Sequence, residues 1–457
     1  MRILPLLLAF HQGPPPTTYP VFEDDKIPPA VYRERRQRLK EAIGNDTVAL
    51  VLTNPLRNRS NDTDFRFRPD SDFVYLTGFE EPDAALLLAP GGIEIDGRRV
   101  TEVLFTNVSD PMSETWLGYR MGTENAGRLL GVESAKPNSE FKRVLGQLRP
   151  SNWALSTPPD PSGTVQRMAA DFGQWRAGGA ERAKVRLGQA IGRMRVIKSP
   201  DEIRLLRKAV DASVQAHFEA IRSAEPGMRE YQLQAVVEYV FMRNGCEFTA
   251  YNSIVGSGAN SCILHYDANR RLMKAGDIIC MDVAGEYHGY AADITRSFPV
   301  SGKFTPEQRA IYNLVLEAQE AGIAACRPGA PFGAPHAAAA RVIGDGLVRL
   351  GITKDRAGAG RYFMHGTSHT IGLDVHDAMT QTLEENVTLT VEPGIYIKAG
   401  APCDRKWWNI GVRIEDDVLV TRTGPVNLSG ALPRKAEAIE ALMAEKGIGN
   451  VPLRGTK

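Results

Sequence analysis

The chain has 457 residues, 43% of them hydrophobic, with 55 lysines and arginines against 54 aspartates and glutamates. A net charge of +1 exerts no general pull on nucleic acid or an anionic membrane, and no apolar run approaches the roughly 18 residues that span a bilayer. The length allows about two or three domains. The cysteines Cys246, Cys262, Cys280, Cys326 and Cys403 form no C-x-x-C pair and read as buried reduced thiols, not a disulfide framework or zinc knuckle.

Residues 1–20 read as a tail. Arg2 precedes an apolar run over 3–10 and then Pro14-Pro15-Pro16, a form that a secretory segment can take. No small-x-small cleavage site follows, and His11-Gln12 interrupts the run, so a cytoplasmic location is expected, with export as the alternative. Residues 27–43 predict a helix, opened by Pro28 and Pro29 and ended by Gly44-Asn45-Asp46. Residues 47–53 are a β-branched run and predict a strand. The stretch 54–72 is polar and Arg-rich, 73–76 and 84–88 read as strands separated by Gly78 and Pro82, and 103–108 as another. Alternation continues to about Leu187, giving an α/β domain over 21–190 without an evident catalytic cluster.

Ser199-Pro200-Asp201-Glu202 is a cap, an N1 proline and a first acidic turn, so a helix is predicted from there to Ala224. It opens a second domain over 191–435. Further helices are predicted over 230–243, from Thr305 to Ala325 and over 334–350, with strands dominating 248–300 and 362–420. The order of two helices, strands, two helices, strands suggests a duplicated α+β unit whose strands meet in one curved sheet. A helix and tail fill 436–457.

Within this domain, Asp282 ends the apolar run beginning Ile278-Ile279-Cys280-Met281. Gly289 marks a reversal, and Asp293 lies on the returning arm, so the two acids should face each other across a hairpin. Glu392 and Glu415 also end apolar strands, and Arg413 shares a face with Glu415 because residues two apart on a strand point the same way. Carboxylates in apolar strands are tolerated only when paired or metal-bound. Four that converge cannot all stay ionised without cations, and two dications would balance them. Three of the chain's eight histidines fall in His365-Gly366-Thr367-Ser368-His369-Thr370-Ile371-Gly372-Leu373-Asp374-Val375-His376, and His265 precedes the hairpin. The glycines and threonines make a helical zinc pair unsuitable. Oxygen-rich ligation with one imidazole favours manganese, cobalt or zinc, and a two-metal site predicts hydrolysis.

These residues, in this order, resemble the metallopeptidases of the pita-bread fold, the family of aminopeptidase P, prolidase and methionine aminopeptidase. Tyr251-Asn252-Ser253-Ile254-Val255-Gly256-Ser257-Gly258, the run from His369 to Asp377 and the run from Val391 to Tyr396 carry the resemblance, which spans about 196–420. Ser71-Asp72-Phe73-Val74-Tyr75-Leu76-Thr77-Gly78-Phe79-Glu80-Glu81-Pro82 and Glu114-Thr115-Trp116-Leu117-Gly118 are similar to the N-terminal domain of bacterial aminopeptidase P, which methionine aminopeptidases lack.

The resemblance implies an α+β protein with a pita-bread catalytic domain, a duplicated α+β unit around a curved antiparallel sheet. It also implies release of the N-terminal residue from peptides with proline in second position, by a hydroxide bridging two divalent ions, manganese first and cobalt or zinc otherwise. Asp282 would hold one ion, His369 and Glu392 the other, and Asp293 and Glu415 both. Glu392 is similar to a residue proposed as general acid/base. His265, His365, His376 and Tyr396 would line the substrate site, and Arg413 would orient neighbouring acids. A homo-oligomer, dimer or tetramer, is implied, with a loop near Trp116 reaching a neighbour's site. A prolidase-like dipeptidase and a non-catalytic relative are the other readings, the latter disfavoured because all five ligands are present. Two departures stand out: Asp282 is followed by Val283-Ala284-Gly285 where relatives often read Ala-Gly, and the segment 377–387 is short and carries no arginine.

Overall fold

A computed structural model describes residues 19–156, 162–171 and 180–450, without the side chains of 180–182. The signal-like run therefore lies outside the described residues. The chain divides into two compact units, Met1–Ala190 and Ile191–Lys457.

In the first unit, α1 (Pro29–Ile43) leads into β1 (Thr47–Leu52), a small hairpin of β2 (Asn58–Ser60) and β3 (Thr63–Asp64), and α2 (Ser71–Thr77). Then come β4 (Ala85–Ile95), β5 (Arg98–Thr106), α3 (Pro111–Leu117), α4 (Gly122–Leu130), β6 (Ala135–Pro137), α5 (Phe141–Leu145), β7 (Asn152–Leu155) and α6 (Thr164–Asp171). A five-stranded mixed sheet runs β6-β5-β4-β1-β7. Its strands are buried along most of their length, which explains why β1 reads as a continuous apolar run. The expected strand over 73–76 is instead part of α2. Asp70 caps it by accepting from Phe73 N at 3.0 Å, and Gly78 closes it in the left-handed region at φ 68°. Those two end signals outweigh the strand propensity of Phe73, Val74 and Tyr75.

Helix α7 (Ala180–Val196) crosses the division. The second unit then carries α8 (Pro200–Ser223), α9 (Glu230–Arg243), β8 (Phe248–Thr249), β9 (Ile254–Ser257), β10 (Ile278–Asp282), β11 (Gly285–Tyr287), β12 (Tyr290–Ala291) and β13 (Thr295–Pro299). After these come α10 (Pro306–Ala325), α11 (Ala334–Arg349), β14 (Thr388–Val391), β15 (Gly394–Ile397), β16 (Ile410–Arg413), β17 (Asp416–Thr421), β18 (Gly424–Asn427) and α12 (Ala436–Leu442). The predicted helix–strand–helix–strand order holds. Ser199 caps α8 in a reciprocal capping box with Glu202. Strands were also expected over 362–387, but that stretch holds only turns and isolated bridges after a 3-10 segment at Arg356–Arg361. Its glycines and histidines serve the site instead of a ladder.

Antiparallel strands organise each half: β13-β10-β9 and β12-β11-β8 in the first, β14-β17-β18 and β15-β16 in the second. The halves are stitched where β13 meets β16. Ser297 Oγ donates to Arg413 O at 3.0 Å and accepts from Arg413 N at 3.1 Å, while Glu415 N donates to Thr295 O at 3.1 Å. The helices pack their apolar faces on this surface in one large core that includes Val237, Phe241, Phe298, Ile311 and Val412.

Candidate metal centre

The hairpin expected between the first two acids forms. β10 pairs with β13 with Asp282 opposite Thr295, and the inner arms β11 and β12 reverse at His288-Gly289. Both turn residues have positive φ, 48° and 81°, the geometry of a tight two-residue hairpin turn. Asp282 therefore ends one arm and Asp293 precedes the other. Tyr251 Oη lies within hydrogen-bond distance of Asp282 Oδ1 and 2.6 Å from Asp293 Oδ1, so its one O–H is shared between the pair and holds it together.

The second half brings His369, Glu392 and Glu415 to the same place. His369 Nε2 lies 3.3 Å from Asp293 Oδ2 and 3.6 Å from Glu392 Oε1. Ligand atoms of Asp293, His369 and Glu415 all lie within 4.8 Å of one another. Asp282, Asp293, His369, Glu392 and Glu415 line one cavity of about 540 Å³.

His265, His365 and His376 line it too, together with Arg413 and the apolar Ile254, Leu264 and Val375. The His376 ring sits 4.1 Å from the His369 ring, centroid to centroid. Tyr396 is buried just behind the wall, its hydroxyl 2.9 Å from His365 Nε2 and 2.9 Å from Arg413 Nη1. His365 Nδ1 donates to Gly366 O at 2.7 Å, so Nε2 accepts from Tyr396, which in turn accepts from Arg413. Trp116 belongs to the first unit, where it stands 80% exposed on α3.

The electrostatics of the cluster are those of an anion-rich site short of cations. Burial, with Asp293 and its other acidic neighbours, pushes the Glu415 carboxyl well above the usual range. Burial and Asp282 raise Asp293, and burial lifts Glu392 to about 8. Burial disfavours the charged imidazole of His369, but its bond to Asp293 and the charges of Asp293 and Glu392 outweigh this and raise it to about 9. Burial, with the nearby Arg413 charge, lowers His365 to about 4 and keeps it neutral. Arg413 is the one lysine or arginine among the described residues that line the cavity, and it is committed: Nη2 to Asp282 Oδ2 at 2.6 Å and Nε to Thr295 Oγ1 at 3.1 Å. Four carboxylates and an imidazole converging on one fixed cation suit divalent ions, so this donor set fits a metal centre.

Three supporting residues escaped the reading of the sequence. Tyr251 was legible only as part of a motif. Thr295, whose Oγ1 donates to Glu415 Oε2 at 2.6 Å, is two residues past Asp293, a same-face spacing that could have flagged it. Asp417 accepts from Asp293 N at 3.1 Å, a contact across 124 positions that no local pattern announces. Of the histidines left without a role, His288 pairs with Glu247 at 2.9 Å, His336 meets Thr367 Oγ1 at 3.0 Å, and His217 is buried beneath the hairpin.

Residues 204–422 match the model of metallopeptidase family M24, and residues 32–153 match that of the aminopeptidase P N-terminal domain. The Xaa-Pro aminopeptidase of Escherichia coli is 39% identical over 443 residues, covering 90% of this chain and 97% of that protein. Two solved structures superpose at 37% identity, over 92% of this chain and 99% of theirs. They are a variant of E. coli aminopeptidase P in complex with substrate, at a TM-score of 0.84, and the zinc-substituted enzyme in complex with product, at 0.82.

Proposed function

Because this chain belongs to metallopeptidase family M24 and carries an aminopeptidase P N-terminal domain, we propose that Asp282, Asp293, His369, Glu392 and Glu415 hold two divalent ions, manganese ahead of cobalt or zinc. The protein is a metal-dependent aminopeptidase of the Xaa-Pro type, releasing the N-terminal residue of peptides whose second residue is proline. The observation that carries the reading is the convergence of these five side chains, drawn from both halves of the second unit, on one cavity.

In this assignment Asp282 serves one ion, His369 and Glu392 the other, and Asp293 and Glu415 both. Such a pair, when bound, polarises a carbonyl and lowers the pKa of water. The chain's own residues do the rest. Glu392 stands 3.7 Å from His365 and is the residue to carry a proton between water and the leaving amine. Neutral His365, with His265 and His376, offers imidazole groups along the substrate path. Arg413 fixes Asp282 and, through Tyr396, the His365 tautomer, a supporting role that orients ligand groups.

Arg413 is occupied by its neighbours, so among the described residues no lysine or arginine of the cavity wall is left to receive the carboxylate of a dipeptide. This favours longer peptides over the prolidase-like alternative. All five cysteines are free thiols, four of them buried, which supports a reducing, cytoplasmic location. The exposed Met112, Trp116 and Leu117 of α3 support a homo-oligomer. No helix among the described residues is long and apolar enough to cross a membrane.

Turnover of Xaa-Pro-Yaa tripeptides, Xaa-Pro dipeptides and Xaa-Ala-Yaa controls, with manganese, cobalt and zinc in turn, tests the reading. Release of the first residue only ahead of proline, fastest from the tripeptides, is expected. Failure to cleave Xaa-Pro-Yaa with any of the three metals would refute it.

A further inference from the structure

His376 reaches the cavity from residues 371–378, a stretch that belongs to no helix or strand. Local hydrogen bonds fold it on itself. Gly372 N donates to Asp374 O at 3.1 Å, Asp377 N donates to Thr370 O at 2.9 Å, and Thr370 Oγ1 lies 2.9 Å from both Asp377 O and Ala378 O. These bonds close the strap but leave its two sides to be spaced by something else.

That spacing comes from the end of α7 and the residues after it. Arg195 Nη2 lies 2.6 Å from Asp374 Oδ2 and 2.5 Å from Asp377 Oδ1, so one guanidinium grips both aspartates that flank Val375-His376. Lys198 Nζ lies 3.1 Å from Asp377 Oδ2, and Lys198 N donates to Asn386 O at 2.9 Å. Residues 195–198 therefore hold both ends of the short segment between Asp377 and Asn386. The side chains of Arg195, Lys198 and Asp377 are 8%, 1% and 2% exposed. Charges so buried are stable together, and removing one strands the others. The packing leaves no slack: a Cβ on Gly372 would lie 1.9 Å from Asp377 Oδ2 and 3.0 Å from Lys198 Cε.

Neither Arg195 nor Lys198 lines the cavity, so any effect on the reaction passes through the strap. We propose that Arg195, backed by Lys198, is a positioning residue: by clamping Asp374 and Asp377 it fixes the His376 imidazole against His369 at the cavity wall. This role rests on the peptidase reading given above.

The test is kcat and KM for an Xaa-Pro-Yaa peptide on the manganese-loaded full chain, comparing wild type, Arg195→Gln, His376→Ala and the double variant. Arg195→Gln is expected to lower kcat roughly 10- to 100-fold, the scale of a misplaced group, with bound metal unchanged. The double variant should be no slower than His376→Ala, because residues acting as a unit are not additive. Arg195→Lys, which keeps the charge but loses the planar guanidinium that carries Nη2 to both carboxylates, should fall between. Asp374→Asn, at a half-exposed position, gives a milder loosening and a several-fold lower kcat that His376→Ala also absorbs. Additive losses in the double variant, a loss in Arg195→Gln that tracks lost metal, or an unaltered kcat in Asp374→Asn would each overturn the role. An inactive wild type would sink the peptidase reading itself and take this role with it.

Discussion

His217 has no motif to explain it, yet it is fully buried on α8 with Nε2 3.1 Å from Val283 O and 3.0 Å from Ile294 O. These carbonyls immediately follow Asp282 and Asp293, so a single N–H pins both arms of the ligand hairpin. Nδ1 finds no partner among the described residues, and protonating it would place an unpaired N–H in the core. Burial, with the Arg296 charge, accordingly depresses the ring to about 4, against an ordinary value of about 6.5. The unfolded chain takes up this proton below about pH 6.5, whereas the folded one refuses it until about pH 4. Stability is therefore lost as pH falls through that window. Between about pH 7 and about pH 5 the loss from this group works out at about 2 kcal/mol. His217→Gln keeps an N–H donor and cannot titrate. Urea unfolding of chelator-treated wild type and variant should show their stability difference changing by about 2 kcal/mol between those two pH values, to the wild type's disadvantage at the acid end. Parallel pH profiles would refute the reasoning.

Two further outcomes follow from the site. Glu392→Gln removes a ligand charge and the proposed proton carrier together, and kcat should fall about 10²- to 10⁴-fold; near-normal turnover would contradict that role. Chelator-treated protein should gain stability on adding manganese, by about 2.7 kcal/mol per site at a hundredfold excess over Kd, read as a rise in Tm. A Tm indifferent to manganese, cobalt and zinc alike would deny the five-residue cluster its ions.

The acids were legible because each interrupts an apolar strand, and a carboxylate there needs a partner. His369 was legible because chain-wide scarcity makes its cluster conspicuous. Ser199-Pro200 and Thr305-Pro306 announced their helices because capping is written in adjacent residues. What sequence hid was either short or distant. Residues 73–76 carry strand propensity, and only Asp70 and Gly78, outside that window, turn them into helix. Residues 362–387 are apolar enough to suggest strands, but their backbone is committed to turns that aim histidines. Tyr251, Asp417 and Arg195 act on partners 31 or more positions away, and such pairing has no period to detect.

The arrangement also explains why a strongly anionic cluster can sit at the centre of a stable unit. Asp282 has Arg413, but Asp293, Glu392 and Glu415 are held above their usual range by burial and by neighbouring acids, Asp282 among them, so the protein leaves part of the cluster's charge uncompensated. They cannot drift apart to relieve it. They sit at the ends of strands and beside them, stitched across the halves by Ser297 and Arg413, and propped by Tyr251, Thr295 and the Asp417 carboxyl. Rigid elements of this kind keep a site closer to its productive geometry than loops can. The unmet negative charge is then the source of affinity for divalent cations, and the stitched sheet is what prevents relaxation from dissipating it.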